Sequence, residues 1–330
     1  MPFLFLSYFK QYEINSNNHS IMDIKVEKLT KNYGHHKAVD DISFEVKTGE
    51  ILGFLGPNGA GKTTTMKIIT NYLNCEQGDI IIGGKSIRDN AEELKKHIGY
   101  LPENNPLYLD MPVIDYLEFC ASLQGVEKSK IPERIREMVR VCGLNAEKHK
   151  RIGELSKGFR QRVGLAQAMI HNPSVLILDE PTTGLDPNQI IEIRKLIREL
   201  GREKTVILST HILSEVEATC DRIMIINNGK IVANGTAETL RKQAQGQEIL
   251  TVKIEDGDSN AIFKAIQELP TVGLVDFTDR NLNRFEVQSR PGCTSRREIF
   301  NLCVKNGWIL TELAVSEAKL EDIFRELTVN

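Results

Sequence analysis

The eight-residue stretch GPNGAGKT at 56–63 constrains the fold of this chain more than any other feature. It matches the pattern G-x-x-x-x-G-K-[S/T], it follows the apolar run EILGFL, and a helix is predicted to begin near Lys62. Gly59 and Gly61 allow backbone N–H groups to turn toward phosphate oxygens, because no Cβ stands in the way. Lys62 can then reach the β- and γ-phosphates, and Thr63 can offer its hydroxyl to Mg²⁺. The alternative is an ordinary glycine-rich loop between a strand and a helix, but the context favours a phosphate-binding loop.

Composition narrows the class of protein. The 330 residues correspond to roughly two domains at about 150 residues each. The formal net charge of −3 and the pI near 6.2 argue against a nucleic-acid partner, because nucleic-acid-binding domains are usually basic. The six cysteines form no CxxC pair, so we expect structural thiols in a reducing compartment. No apolar run approaches the ~20 residues of a membrane helix, so any membrane role is expected to come through a partner.

Strand and helix patterns alternate along the chain, which predicts an α/β layer with parallel strands. Residues 22–88 look rich in strands, whereas the charged and helically periodic residues after them predict a helical insert. After the polar stretch RKQAQGQ, the order strand–helix–strand–strand–helix–strand predicts a ferredoxin-like unit, and one more helix follows it. The predicted organisation is a disordered or non-native extension at 1–21, a mixed α/β domain at 22–240 with a helical subdomain at about 90–160, a linker at 241–247 and a small α+β domain at 248–330.

Two carboxylates end the apolar run SVLILDEP. A buried Asp179–Glu180 pair is costly unless a positive charge lies nearby. Mg²⁺ would neutralise Asp179 directly or through water, and Glu180 could then orient or deprotonate a water molecule. The alternative is that these residues cap the helix that follows the strand.

Three further features suggest contacts to a nucleotide. Ser156 and Gly158 in LSKGFRQR stand at the start of a predicted helix, where backbone N–H groups favour an anion. His211 follows another apolar strand, and the carboxyl ends of such strands point into the ligand crevice, although a lone histidine there is more often structural. Tyr33 precedes a glycine and could stack on a base, but packing in a turn explains it equally well.

These motifs together resemble the ATP-binding subunit of ABC transporters over about residues 22–240. GPNGAGKT resembles the Walker A motif of that family, VLILDE the Walker B motif, GLDP the D-loop, STH the H-loop and LSKGFRQR the signature. Lys157 and Phe159 replace the usual Gly and Gln of the signature, and Glu103 replaces the usual Gln of the Q-loop in GYLPENN. Both variants occur in ATPases that serve ABC-2-type exporters, which commonly carry a small C-terminal domain. GYLPENNPLY, LSKGFRQRVGLA and EPTTGLDPNQ most resemble the gliding-motility-associated ATPase.

The resemblance implies a P-loop NTPase fold of the ABC-ATPase type, with a mixed sheet core, an antiparallel β part and a helical subdomain. It implies ATP and Mg²⁺ as cofactors, Glu180 as general base and His211 as sensor of the γ-phosphate. The implied nucleotide contacts are Tyr33, Gly56, Pro57, Asn58, Gly59, Ala60, Gly61, Lys62, Thr63, Thr64, Ser156, Gly158 and Asp186, and the implied metal ligands are Thr63, Asp179 and Glu103.

The function implied is that of a motor subunit. Two chains would sandwich two ATP molecules and drive a separate ABC-2-type permease from the cytoplasmic face of the membrane. Multidrug, sodium and polysaccharide export ATPases share many of these motifs. A non-transport ABC ATPase acting on the ribosome or DNA is a further alternative, but such proteins usually carry two cassettes or a long insert. A regulatory protein that only binds ATP is disfavoured by the intact Lys62, Asp179, Glu180 and His211.

Overall fold

The computed structural model describes residues 22–244, 248–316 and 320–328. The chain forms two compact units, one ending at Val232 and the next beginning at Ala233, so that the boundary falls within the strand Lys230–Gly235 and before the predicted domain end at 240. The predicted extension at 1–21 lies outside the described residues.

The first unit begins with an antiparallel sheet whose strands alternate apolar and polar residues. Along the first strand Ile24 and Val26 are buried and Lys25 is exposed, as expected for a sheet with one face on a core. The spatial order is β2-β1-β4-β5. The strands are β1 (Ile24–Tyr33), β2 (His36–Val46), β4 (Gln77–Ile82) and β5 (Lys85–Ser86).

A six-stranded sheet forms the centre of this unit, in the order β10-β9-β3-β8-β7-β6. The pairs β3–β8, β3–β9, β7–β8 and β6–β7 are parallel. Every residue of β3, β7 and β8 is buried, which explains their uninterrupted apolar patterns. The strands are β3 (Ile51–Leu55), β6 (Ile98–Leu101), β7 (Val175–Asp179), β8 (Thr205–Thr210), β9 (Arg222–Asn227) and β10 (Lys230–Gly235).

This strand order creates the site. Because β3, β8 and β7 are parallel neighbours, the segments that follow them leave the sheet at one edge. Those segments are the glycine-rich loop after Leu55, His211 after Thr210, and Glu180 after Asp179.

Within the described residues, seven α-helices belong to the first unit. The helical region is built from α3, α4 and α5, whose buried residues Leu117, Ile135 and Val163 join one core with Leu176 of the sheet. The prediction of a mostly helical segment over about 90–160 misses β6, because this strand has only four residues and lies among charged residues of helical periodicity. The helices are α1 (Lys62–Ile69), α2 (Ile87–Leu94), α3 (Val113–Leu123), α4 (Ile131–Val141), α5 (Lys157–Met169), α6 (Pro187–Gly201) and α7 (Leu213–Thr219).

The second unit contains the predicted βαββαβ arrangement. Its sheet has the order β12-β13-β11-β14 with antiparallel neighbours, which is the ferredoxin-like topology. Helix α8 packs against α11 and covers the first four residues of the predicted linker, whereas 245–247 lie outside the described residues. The elements are α8 (Ala237–Ala244), β11 (Ile249–Glu255), α9 (Ser259–Gln267), β12 (Val272–Asp279), β13 (Arg284–Ser289), α10 (Arg296–Asn306), β14 (Ile309–Ser316) and α11 (Leu320–Thr328).

Candidate active site

The glycine-rich loop runs directly from β3 into α1. Gly61 precedes the helix with φ 106°, and a Cβ on it would lie 2.3 Å from the carbonyl oxygen of Ala38, so only glycine fits. No side chain among the described residues caps the first turn of α1, and that turn contains no acidic residue. Its N–H groups are therefore suited to bind an anion.

The Lys62 side chain is buried within this loop. Its Nζ donates hydrogen bonds to the carbonyl oxygens of Gly56 at 2.8 Å and Pro57 at 3.2 Å. Burial lowers the pKa of Lys62 from its ordinary value, and the charges of three carboxylates oppose this shift. The three carboxylates are those of Glu180, Asp179 and Glu103. The loop thus holds an ammonium group that faces the carboxylates at the ends of the neighbouring strands.

Asp179 is fully buried at the end of β7. Its Oδ1 accepts a hydrogen bond from Ser209 Oγ at 2.7 Å, whereas no described residue gives a hydrogen bond to its buried Oδ2. A buried carboxylate oxygen without a partner is costly, so the site fits a cation or a cation-bound water at Oδ2. The described residues contain no group of three or more His, Cys, Asp or Glu side chains that could hold a metal alone. An ion here would therefore need oxygen ligands in addition to Asp179, including those of a bound phosphate group.

Glu180 and His211 form the second pair at this edge. His211 Nδ1 lies 2.8 Å from Glu180 Oε1, and the backbone N–H of Glu180 donates to the carbonyl oxygen of Ser209 at 2.9 Å. The Glu180 side chain is 7% exposed and that of His211 is 49% exposed. The pair therefore extends from the protein interior to the solvent at the edge of the sheet. Glu180 also has a φ of 52°, a conformation that costs about 1–3 kcal/mol for a residue with a side chain. Its carboxylate is therefore held in a specific direction.

The signature residues form a second group at the start of α5. Ser156 Oγ accepts a hydrogen bond from the N–H of Phe159 at 3.3 Å, and the first turn of α5 contains no acidic residue among those described. A Cβ on Gly158 would lie 2.3 Å from Gln189 Oε1. Asp186 Oδ1 accepts from the backbone N–H of the same Gln189 at 2.9 Å, so the signature and the D-loop pack together at the start of α6.

The remaining predicted residues lie around these groups. Thr63 and Thr64 are half-buried in the first turn of α1, and Asn58 and Gly59 are exposed in the loop. Tyr33 is 50% exposed at the end of β1, with Lys31 Nζ 5.6 Å from its ring. Glu103 is exposed two residues after β6.

Two supporting side chains of the site, Ser209 and Glu215, are not among the residues predicted from the sequence. Ser209 holds Asp179, and Glu215 binds two threonines near the Glu180–His211 pair. Polar residues at the end of the apolar strand TVILST were a signal for the first of these. An acidic residue in a helix gives no comparable signal.

A family model described as ABC transporter matches residues 39–183. The chain is 35% identical over 301 residues to the uncharacterized ABC transporter ATP-binding protein YxlF of Bacillus subtilis, covering 91% of this chain and 98% of that protein. The chain belongs to the family of ABC transporter ATP-binding proteins. It is also 35% identical to the bacitracin transport ATP-binding protein BcrA of Bacillus licheniformis, over 92% of this chain and 96% of BcrA.

A solved structure supports the fold of this ABC protein. The dimeric structure of MJ0796, a bacterial ABC transporter cassette, has a TM-score of 0.61 at 23% identity and covers 64% of this chain and 98% of the cassette. The predictions of an ABC-ATPase fold and of an ATP-hydrolysing protein class are confirmed. Within the residues that the structure describes, none of the helices is both long and apolar enough to cross a membrane.

Proposed function

We propose that this chain is the ATPase subunit of an ABC-2-type exporter, in which two copies enclose two ATP molecules and drive a separate permease. The observation that carries the proposal is the sheet edge that brings Lys62, the unpartnered oxygen of Asp179, and the Glu180–His211 pair together. These groups supply a phosphate-binding cation, a metal-facing carboxylate and a general base.

ATP binds with its phosphates on the loop Gly56–Thr64 and its adenine ring on Tyr33. Thr63, Asp179 and Glu103 would hold Mg²⁺, and the ion would neutralise charge on the phosphate oxygens. Lys62 exchanges its two loop carbonyls for phosphate oxygens. Glu180 orients the attacking water and accepts its proton, and His211 keeps the carboxylate aligned and contacts the γ-phosphate.

The second half of each site comes from the other protomer. Ser156, Gly158 and the N-terminal end of α5 bind the γ-phosphate of the ATP held by the partner chain, and Asp186 acts across the same interface. This arrangement requires a homodimer that forms when ATP binds. The dimeric cassette MJ0796 is consistent with it.

The permease binds on the helical region. Tyr108 and Phe119 lie with ring centroids 5.7 Å apart, and Leu123 on the same helix as Phe119 is 70% exposed. An exposed aromatic cluster of this kind suits the apolar side of a helix from a membrane subunit. Through that contact the ATPase works at the cytoplasmic face of the membrane.

Within the exporter branch, the motifs GYLPENNPLY and EPTTGLDPNQ favour a role in gliding motility. The second candidate is export of an antibiotic, which the 35% identity to BcrA over 92% of this chain favours. Deletion of the gene in its host separates the two. Loss of surface spreading at unchanged bacitracin sensitivity supports the first, and increased sensitivity with normal spreading supports the second.

Glu180→Gln tests the ATPase mechanism. The variant keeps the shape of the side chain and loses the base, so we expect parental ATP affinity, turnover reduced by at least about a hundredfold, and a dimer that persists in ATP. Steady-state phosphate release and size-exclusion chromatography measure these effects. The matched control is Glu217→Gln, on the helix after His211. Hydrolysis by Glu180→Gln at the parental rate would contradict the role of Glu180.

A further inference from the structure

Glu215 is a buried carboxylate in α7 that the mechanism above does not use. Only 1% of the residue is exposed, although it lies four residues beyond the half-exposed His211. A carboxylate at such depth is retained only when other groups bind it.

Two threonines bind Glu215, one from each strand end that carries the catalytic pair. Thr182 Oγ1 donates a hydrogen bond to Glu215 Oε1, and Thr210 Oγ1 donates to Oε2 at 2.8 Å. Thr182 lies two residues after Glu180, and Thr210 immediately precedes His211. One carboxylate group therefore connects the two segments whose separation sets the 2.8 Å distance between Glu180 and His211.

The Thr210 hydroxyl is itself fixed by a second hydrogen bond. Thr210 Oγ1 accepts the backbone N–H of Ile212 at 3.1 Å, so its proton is directed to Glu215. The N–H of Glu215 donates to the carbonyl oxygen of Ile212 at 3.1 Å, which fastens the start of α7 to the same turn. These bonds leave the carboxylate little freedom to move.

Arg194 of α6 adds a third connection. Its guanidinium lies 3.8 Å from Glu215 Oε1, and its buried Nε has no hydrogen-bond partner among the described residues. Helix α6 begins at the D-loop residue Asp186. Glu215 is thus in contact with the segments after β7 and before His211, and with the helix that follows the D-loop.

We infer that Glu215 is a positioning residue for ATP hydrolysis, which holds Glu180 and His211 in register through Thr182 and Thr210. The inference rests on the proposed function of Glu180 and His211. Since Glu215 contacts neither the glycine-rich loop nor Lys62 in the hydrogen bonds of the described residues, its effect falls on turnover and not on nucleotide affinity. Small misplacements of a catalytic group reduce rates strongly, by about a hundredfold for 1 Å.

Glu215→Ala is the first test. We expect kcat for ATP to fall by about tenfold or more, while KM and the dissociation constant of a fluorescent ATP analogue stay within about twofold. Ser214→Ala on the exposed side of α7 is the control and should keep the parental kcat. Parental turnover in folded Glu215→Ala would overturn the inference.

The second test uses Thr210→Val and Thr210→Ser. Both variants keep the buried carboxylate of Glu215 in place. Valine matches the shape of threonine but cannot donate to Glu215, so kcat should fall at unchanged ATP affinity. Serine keeps the hydroxyl and should restore most of the rate. Equal rates in the two variants would show that the hydrogen bond has no positioning role.

The result for Glu180→Gln distinguishes a failure of the positioning role of Glu215 from a failure of the proposed ATPase mechanism. If Glu180→Gln loses hydrolysis while Glu215→Ala and Thr210→Val keep it, the positioning role alone is wrong. If Glu180→Gln retains hydrolysis, the proposed mechanism itself is wrong.

Discussion

Replacing Lys62 by Met tests two effects of the buried ammonium group. One is its effect on the stability of the nucleotide-free protein, and the other is its effect on the stabilisation by bound nucleotide. Lys62 Nζ makes two hydrogen bonds to loop carbonyls, at 2.8 and 3.2 Å. Hydrogen bonds to a charged group contribute about 1.5–3 kcal/mol each. Burial opposes this gain, and its effect is large enough to lower the pKa of Lys62 despite the nearby carboxylates. We therefore expect Lys62→Met to change the free energy of unfolding of the nucleotide-free protein by no more than about 1 kcal/mol.

The effect with nucleotide should be much larger. A ligand at about 100 times its dissociation constant stabilises the folded state by about 2.7 kcal/mol. For a unit of this size that corresponds to about 5–10 °C in Tm. We expect the parental protein to show this shift with a non-hydrolysable ATP analogue and Mg²⁺, and Lys62→Met to lose it. Lys67→Met, on the same helix, is the matched control and should keep it. A parental shift in Lys62→Met would refute the assignment of the loop to phosphate binding.

Two further predictions concern stability. Gly61→Ala combines φ 106° with a Cβ 2.3 Å from a carbonyl oxygen, so it should cost more than about 3 kcal/mol in urea unfolding. Gly59→Ala has φ 81°, but apart from its two chain neighbours no described residue lies within 4 Å of its Cβ, and it should cost about 1–2 kcal/mol. Equal costs would contradict the steric argument. Burial lowers the pKa of His171, so below about pH 6.5 the unfolded chain binds a proton that the folded chain does not, and stability falls as pH decreases. His171→Gln should show a smaller decrease in urea midpoint between about pH 7.5 and pH 5, and an unchanged decrease would exclude this histidine as a cause.

Much of the fold could be predicted because local patterns and tertiary structure agree. In the second unit the predicted order strand–helix–strand–strand–helix–strand is observed, with α9 at Ser259–Gln267 and β12 at Val272–Asp279. In the first unit the predicted helix near Lys62 begins at that residue. Apolar alternation and turn residues are sufficient where an element has one buried face.

The predictions of secondary structure are wrong where contacts with residues distant in sequence determine which element forms. Strand β6 forms because Ile98–Leu101 pairs with β7, although its four residues carry no period of their own. Helix α8 enters the predicted linker because it packs against α11, which is distant in sequence. Such contacts have no local signature.

Some features of the candidate site could likewise be predicted from the sequence, and others could not. The ends of apolar strands indicated Asp179, Glu180 and His211, because a buried strand that ends in polar groups is visible in sequence. The hydrogen bond between Ser209 and Asp179 follows from the register of β7 against β8, in which these two residues are paired. Register between parallel strands depends on the whole sheet.

Three features that lower the stability of the folded chain lie together at this sheet edge. Asp179 Oδ2 has no hydrogen-bond partner among the described residues, Glu180 has a strained backbone, and Lys62 is buried with a lowered pKa. Each would be removed by a small change of sequence if stability alone mattered. Strands β3, β7 and β8 are buried along their whole length and offset these costs through their packing. Since a triphosphate with its metal ion would bind the free oxygen and the ammonium group together, the site is arranged so that its unfavourable features become favourable when the nucleotide binds.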